Sequence, residues 1–370
     1  MRDDKIRLTS DAFDEEKARE LEQKFDSEIR FRSLGKTAGW LVGSMLIVLS
    51  IFHYYTAGFG LMQEMVHRGI HLSFVLALVF LVFPFTKKGY DAPLKGSLLR
   101  PFGIPVYDWI LAIGAVVAVA HVPLIPLDDL AFRIGNPTTT DVILGGFLLV
   151  ALLEATRRSI GWPLPIIAML FMAYALFGQW MPGILVHPGN TASQLIDHLY
   201  MTTQGIYGIA LGVVATYVFH FVLFGVFATR IGLGQLFLDC AAWVAGRFAG
   251  GPAKVSIFGS ALFGMISGSS VANAVTVGSL TIPAMIRLGY RREFAAAVEA
   301  ASSTGGQVTP PIMGAAAFLM IEFLELPYTT IILAAIVPAF MHFFGVLMQV
   351  HFEAKRRGLR GLTKEEMPQI

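Results

Sequence analysis

Two polar stretches interrupt otherwise apolar segments of this 370-residue chain, and both are rich in oxygen. The first runs from Gly264 to Gly278, GMISGSSVANAVTVG, and the second from Ala300 to Pro311, AASSTGGQVTPP. In the first, Ser267, Ser269, Ser270 and Asn273 offer hydroxyl and amide oxygens, and Gly264 and Gly268 permit tight backbone turns. In the second, Ser302, Ser303 and Thr304 precede Gly305-Gly306, Gln307, Thr309 and Pro310-Pro311. The glycine pair loosens a helix, while the prolines remove N–H donors and forbid regular continuation. A hard monovalent cation such as sodium takes several oxygen ligands from hydroxyls, amides and backbone carbonyls. Unwound helix ends expose such carbonyls, and helix N-termini favour the anionic groups of a solute. Together the stretches could cage one cation and line one side of a solute cavity. Small and hydroxyl residues also mediate close packing between membrane helices, and each serine taken alone reads equally well that way. Two such clusters in succession, with Pro-Pro, favour ion binding.

The surroundings are those of a membrane protein. The chain is 55% hydrophobic and only 15% charged, with mean hydropathy +0.64, where a soluble domain carries about 25% charged residues. The net charge of +2 argues against nucleic acid as a partner. The single cysteine, Cys240, excludes an intrachain disulfide and reads as a small buried apolar residue. Residues 1–36 are polar and mixed in charge, without the apolar core of a cleavable signal. Ala18, Leu21, Phe25 and Ile29 recur there at helical spacing, which predicts an amphipathic helix on the membrane surface or against a neighbour.

Apolar runs able to span the hydrocarbon layer fall near 38–57, 70–86, 106–125, 140–156, 163–179, 206–229, 294–320 and 329–351. Between the sixth and seventh lies 253–286, whose two arms are each short for a crossing. Alternate connections are rich in Lys and Arg: the N-terminus, Lys87/Lys88/Lys95/Arg100, Arg157/Arg158, Arg230/Arg247/Lys254, Arg287/Arg291/Arg292 and Lys355/Arg356/Arg357/Arg360. The other connections hold Arg68 and Arg133, with no Lys or Arg in 180–205 or 321–328. The positive-inside rule then places both termini in the cytoplasm. Lys254 and Arg287 share a side, so 253–286 is expected to be a re-entrant hairpin. The fold class is thus all-α and polytopic, with about eight transmembrane helices plus one re-entrant helical hairpin. Composition changes after Gly161-Trp162-Pro163, which divides a four-helix block, 37–159, from 160–370. Residues 232–249 read as an interfacial helix or a simple connector.

Other ionisable groups are read more plainly. Glu299, inside the seventh span, is expected to face an interface or make a helix-packing hydrogen bond. His53, His71, His121, His220 and Asp108 look isolated, without ligand spacing, and read as packing or interface residues. Glu64, His67, Arg68 and His71 read as a membrane-boundary anchor.

The segments GMISGSSVANAVTVGSLTIPAMIRLGY (264–290) and FAAAVEAASSTGGQVTPPIMGAAAFLM (294–320) resemble the large membrane subunit of tripartite ATP-independent periplasmic (TRAP) transporters. HRGIHLSFVLALVFLVFP (67–84), within four extra N-terminal spans, is similar to fused permeases of the TAXI subgroup, which join the small and large membrane subunits. The resemblance implies a sodium-coupled importer of small organic acids in a bacterial or archaeal cytoplasmic membrane, not an enzyme, served by a TAXI-type periplasmic receptor. It implies a sodium site of Ser269, Ser270, Asn273, Ser303, Thr304, Gly305 and Gly306, with Ser267, Gln307, Thr309 and Pro310 lining the solute cavity. It also implies a partly unwound helix at 294–320 and a small-subunit-like scaffold over 37–159. The family's large subunit has two inverted halves, each with a hairpin and a broken helix. This chain carries one, so a second permease half is expected as a separate chain, a lost segment or a second copy.

Two other classes compete. A non-transporting interaction or regulatory subunit would bind partners but never sodium. An intramembrane serine hydrolase would need a base beside Ser269, and His220, His342 and His351 show no recognisable spacing to it.

Overall fold

The computed structural model describes residues 31–86 and 100–367, which are helical with connecting turns and carry no strand. The amphipathic helix expected within 1–36 falls largely on residues outside these, as do Lys87, Lys88 and Lys95. Packing divides the described chain into two compact units, one ending at Thr216 and one beginning at Tyr217.

The first unit contains α1 (Lys36–Phe59), α2 (Glu64–Val82), α3 (Val106–Leu124), the short α4 (Leu127–Arg133), α5 (Thr139–Ser159), α6 (Pro163–Phe177), α7 (Ala192–Ile196) and α8 (Ile209–Val213). In α1 the buried positions Ala38, Val42, Leu49, His53 and Thr56 recur on one stripe, whereas Trp40 and Phe59 are about four-fifths exposed. Exposed aromatic residues on a long apolar helix are stable against lipid, not water. On α3, Ala112, Ala115, Ala118 and Val119 are buried and small, letting α2, which buries Leu72, Leu76 and Phe80, pack closely.

Ionic contacts fix the two ends of α3. Near its start, Asp108 accepts from Arg32 Nη2 and Arg158 Nη1, each at 2.6 Å, and all three side chains are buried. Glu154 takes the Arg158 Nε and the Arg157 fork at 2.7 Å. Near its end, His121 pairs with Asp141 at 2.7 Å, and Asp141 closes a capping box with Thr138. The Tyr200 and Tyr207 hydroxyls donate to Ala118 O and Val119 O at 2.5 and 2.6 Å. The histidines are not isolated as their spacing suggests. His53 Nε2 and His71 Nδ1 are 2.8 Å apart, and His67 Nε2 lies 3.2 Å from Ala215 O. Asp108 and His121 likewise have partners distant in sequence. Arg68 ties to Glu64 and donates to Tyr207 O, so this group braces the fold beside the α1–α2 turn.

The second unit contains α9 (Phe219–Arg230), α10 (Leu233–Ala245), α11 (Gly251–Ser267), α12 (Ser270–Leu288), α13 (Arg292–Gly306), α14 (Ala315–Leu324) and α15 (Tyr328–Arg356). Helices α11 and α12 form a hairpin with a two-residue turn, and α13 packs along both arms. Ile257, Met285, Ala295, Val298 and Val350 belong to one buried apolar cluster of this unit. The connector 232–249 holds α10, which buries Leu238, Ala241, Ala242 and Ala245. Cys240 there is half-buried, not buried. After α15 the chain returns to the hairpin base: Gly250 N donates to Arg360 O, and Leu362 N to Gly246 O.

Eight helical stretches among the described residues are long and apolar enough to cross a membrane: α1, α2, α3, α5, 163–180, 209–228, α12 and α15. The run 294–320 is divided where 307–314 leaves helical geometry between α13 and α14. One expectation changes. The second hairpin arm is not short: α12 has 19 residues and meets the length and hydropathy of a crossing helix.

Removing one partner of a buried ion pair strands the other charge, which costs about 3–5 kcal/mol, whereas exposed pairs are worth about 0–1 kcal/mol. Asp108→Ala is therefore expected to lower the thermal unfolding midpoint in detergent far more than Glu64→Ala, whose carboxylate is 68% exposed. Equal midpoints would contradict the assigned role of Asp108.

Candidate functional site

The hairpin turn is built by two residues. Gly268 stands at φ 60°, left-handed backbone that glycine adopts without a Cβ clash, and ends α11. Ser269 then caps α12, its Oγ accepting from Ala272 N at 3.3 Å. A Cβ on Gly268 would stand 2.8 Å from Met313 O, so the turn lies directly on the break in the neighbouring helix.

That break follows from Gly305, Gly306 and the two prolines. The last turn of α13 tightens, with Gln307, Val308 and Thr309 N–H groups donating three residues back. Pro310 and Pro311 have no N–H to give. Gly314 N closes the loop by donating to Gln307 O at 2.8 Å. The Tyr328 hydroxyl lies 2.5 Å from Ile312 O and 2.8 Å from Pro311 O, providing for two carbonyls the helix no longer uses. Phe318 stacks on Phe221 and on Tyr328, each at 4.9 Å between centroids, which holds α14 to α9 and α15.

Two glycines let the hairpin and the broken helix touch. A Cβ on Gly264 would meet Gly306 Cα at 2.4 Å, so neither glycine accommodates a side chain as packed. The Asn273 amide is buried in this crossing: its Nδ2 donates to Ser260 O at 2.8 Å, and its Oδ1 has no partner. The Ser302 hydroxyl is also buried and unpartnered. The Asn273 Oδ1 lies at the crossing and the Ser302 Oγ within α13, four residues before Gly306, and buried oxygens without partners suit a monovalent cation.

The residues expected to form the site divide into two groups. Asn273, Gly306 and Gly264 come together at the crossing. Ser270 Oγ accepts from Gln307 Nε2 at 3.2 Å, joining the hairpin tip to the break, and Ser267 Oγ reaches Ser269 O at 3.5 Å. Ser303 and Thr304 point elsewhere. Ser303 Oγ donates to Glu299 Oε1, and the Thr304 hydroxyl is exposed and donates back to Ala300 O. Gly305 packs on His342, whose Nε2 lies 2.9 Å from Ala301 O. Thr309 donates to Gly305 O. Thr309 and Pro310 line a cavity of about 420 Å³ between α11, the break and α15. Its other walls are apolar, including Ile257, Phe258, Phe340 and Phe344, so it offers no cationic donor to a carboxylate. None of the hydroxyls of Ser267, Ser269 and Ser270 bonds a histidine among the described residues, which leaves a hydrolase without its base.

Glu299 makes helix-packing hydrogen bonds, and more of them than its place in the sequence suggests: it is 1% exposed and meets the hydroxyls of Ser256, Ser260, Thr281 and Ser303. The signal was available: Ser256, Ser260 and Gly264 repeat every four residues on α11, and Glu299 and Ser303 are four apart on α13.

A family model described as the tripartite ATP-independent periplasmic transporter, DctM component, matches residues 147–370. An isethionate TRAP transporter permease protein, DctMQ, of Oleidesulfovibrio alaskensis is 28% identical over 65% of this chain and 38% of its own length. A C4-dicarboxylate TRAP transporter large permease protein, DctM, of Rhodobacter capsulatus is 35% identical over 25% of this chain and 21% of its own. A sialic acid TRAP transporter large permease protein, SiaM, of Vibrio cholerae is 28% identical over 39% and 33% respectively. The chain thus spans well under half the length of these relatives. No solved structure matches it.

Overpacking a close helix crossing costs about 1–3 kcal/mol. Gly306→Ala is expected to lower the unfolding midpoint, while Gly345→Ala, where a Cβ meets nothing within 4 Å, leaves it unchanged or raises it. Identical midpoints would mean the helices do not touch at Gly264.

Proposed function

The chain belongs to the DctM component family of the tripartite ATP-independent periplasmic transporters, and from that premise we propose that it is a permease component for sodium-coupled, receptor-dependent import of a small organic acid. It works in the cytoplasmic membrane of a prokaryote with both termini inside, as the Lys and Arg distribution supports. The helical hairpin is re-entrant in this reading, and the four N-terminal spans stand for the small membrane subunit. A TAXI-type soluble receptor delivers the solute, and a second permease half completes the cavity.

The observation that carries the reading is the orphaned Asn273 Oδ1, buried where the hairpin meets the unwound stretch. Burying an amide oxygen without a partner costs about 1–3 kcal/mol, a cost that a bound cation would offset. Asn273, the Ser302 hydroxyl and the carbonyls around Thr304 to Gly306 would hold sodium, with Ser270 and Gln307 closing the tip. The bound ion would supply positive charge that draws the hairpin and the broken helix together. The N-terminal ends of α12 and α14 open at the same breaks, where their dipoles favour an anionic solute. Isethionate, C4-dicarboxylates and sialic acid in the relatives' names are all acids, which supports that solute class.

Sodium-22 binding to the purified chain in nanodiscs tests this directly. Saturable binding competed by sodium and not by potassium is expected. Asn273→Ala should raise the half-saturating concentration by about tenfold, the loss of one oxygen ligand at about 1.4 kcal/mol. Asn273→Asp, which keeps an oxygen there, should retain binding. Absence of saturable binding, or equal affinity in Asn273→Ala, would refute the proposed ion site.

A further inference from the structure

Glu299 is a buried ionisable side chain of the second unit, and its hydroxyl partners come from three separate helices. Its Oε1 accepts from Ser260 Oγ and Ser303 Oγ, both at 2.9 Å. Its Oε2 accepts from Ser256 Oγ at 2.8 Å and lies 2.5 Å from Thr281 Oγ1, whose other neighbour is Val277 O at 3.0 Å. A carboxylate has about four acceptor positions, and four hydroxyls face them. Ser256 and Ser260 lie on α11, Thr281 on α12, and Ser303 on the carboxylate's own helix, α13. Every donor is buried, with exposure of 0% or 1%. The fit is close on the remaining side as well, because a Cβ on Gly278 would stand 2.8 Å from Glu299 Cγ.

The network continues toward the breaks through one residue. Ser260 gives its hydroxyl to Glu299 and its backbone carbonyl to Asn273 Nδ2. The carboxylate, Ser260 and the Asn273 amide therefore form one chain of hydrogen bonds. That chain ends at the Gly264–Gly306 crossing, where the Asn273 oxygen has no protein partner. On the other side, Ser303 sits one turn before Gly306. A simple clasp between two helices would need one hydroxyl. A carboxylate bonded to both hairpin arms and to the broken helix sets the register of all three against each other.

We propose that Glu299 is a positioning residue for ion binding: it locks both hairpin arms onto the first half of the broken helix, and through Ser260 it holds Asn273 in the geometry that receives the cation. This inference rests on the ion site proposed above, so its test separates the two. The hydroxyls can be removed without touching Glu299. Thr281→Val is nearly isosteric and deletes one donor, and Thr281→Ser restores it. Losing one buried hydrogen bond is expected to raise the half-saturating sodium concentration by about three- to tenfold in Thr281→Val. Glu299→Gln, which reverses the polarity of one carboxylate position, should raise it further.

Sodium-22 binding is measured alongside hydrogen exchange of peptides covering 268–273 and 307–314 in sodium-free buffer. Thr281 lies more than two helical turns from Asn273 along α12, so a purely local packing defect would leave the tip unchanged. The proposal expects faster exchange at both peptides in Thr281→Val, wild-type exchange in Thr281→Ser, and weakened sodium binding in the first alone. A Thr281→Val protein with a lower unfolding midpoint but unchanged exchange at the tip and unchanged sodium affinity would overturn it. Were the wild type to bind no sodium, the ion site would fail, and the exchange data alone would decide the positioning role. Should Glu299→Gln not fold, the threonine pair carries the test.

Discussion

A polypeptide that leaves helical geometry inside a bilayer must find partners for the N–H and C=O groups it frees, since the hydrocarbon supplies none. The unit beginning at Tyr217 meets that demand at two adjacent places. At the hairpin turn, Ser269 takes the Ala272 N–H and Gly268 permits the reversal. At the break, Gly314 closes on Gln307, the prolines have no donor to lose, and Tyr328 provides for two carbonyls. Each solution sits against the other, so the irregular backbone of one element covers that of its neighbour. The close approach of Gly264 and Gly306 makes this possible.

The same constraint decides where polarity is placed. An acidic side chain at the centre of a spanning helix costs about 2.5–3.5 kcal/mol, and a hydrogen bond to a charged group returns about 1.5–3 kcal/mol. Hydroxyl donors from three helices reduce the cost of burying Glu299, while the Asn273 and Ser302 oxygens of the same three helices stay without a protein partner. The unit ending at Thr216 follows another plan. Its ionic groups, Asp108 with two arginines and Asp141 with His121, stand at the ends of α3 and α5. They fasten helices without interrupting any.

Much of this was legible in the residues. Gly-Ser-Ser and Gly-Gly-Gln-Val-Thr-Pro-Pro mark the turn and the break because no other combination so consistently removes helix donors or admits left-handed backbone. The apolar runs gave most spans, since length and hydropathy are local properties. The misread features are non-local. Asp108 looked isolated because Arg32 and Arg158 are 76 and 50 residues away. His53 and His71 pair only once α1 and α2 are packed. The resemblance assigns Ser303 to the ion, and its hydroxyl bonds Glu299 on the same helix. Hydroxyls at four-residue spacing on two segments, with a carboxylate between, are readable as facing stripes. That pairing needed a partner helix to become visible.

The account depends on the Asn273 oxygen facing a cation at the crossing of hairpin and broken helix. Cryo-electron microscopy of the chain in nanodiscs, once in sodium and once in choline, examines that point directly. The account predicts density bonded to Asn273 Oδ1 and to carbonyls of the break in sodium alone. Identical maps in the two salts, with Asn273 Oδ1 bonded to a protein donor and α13 continuing unbroken into α14, would contradict it.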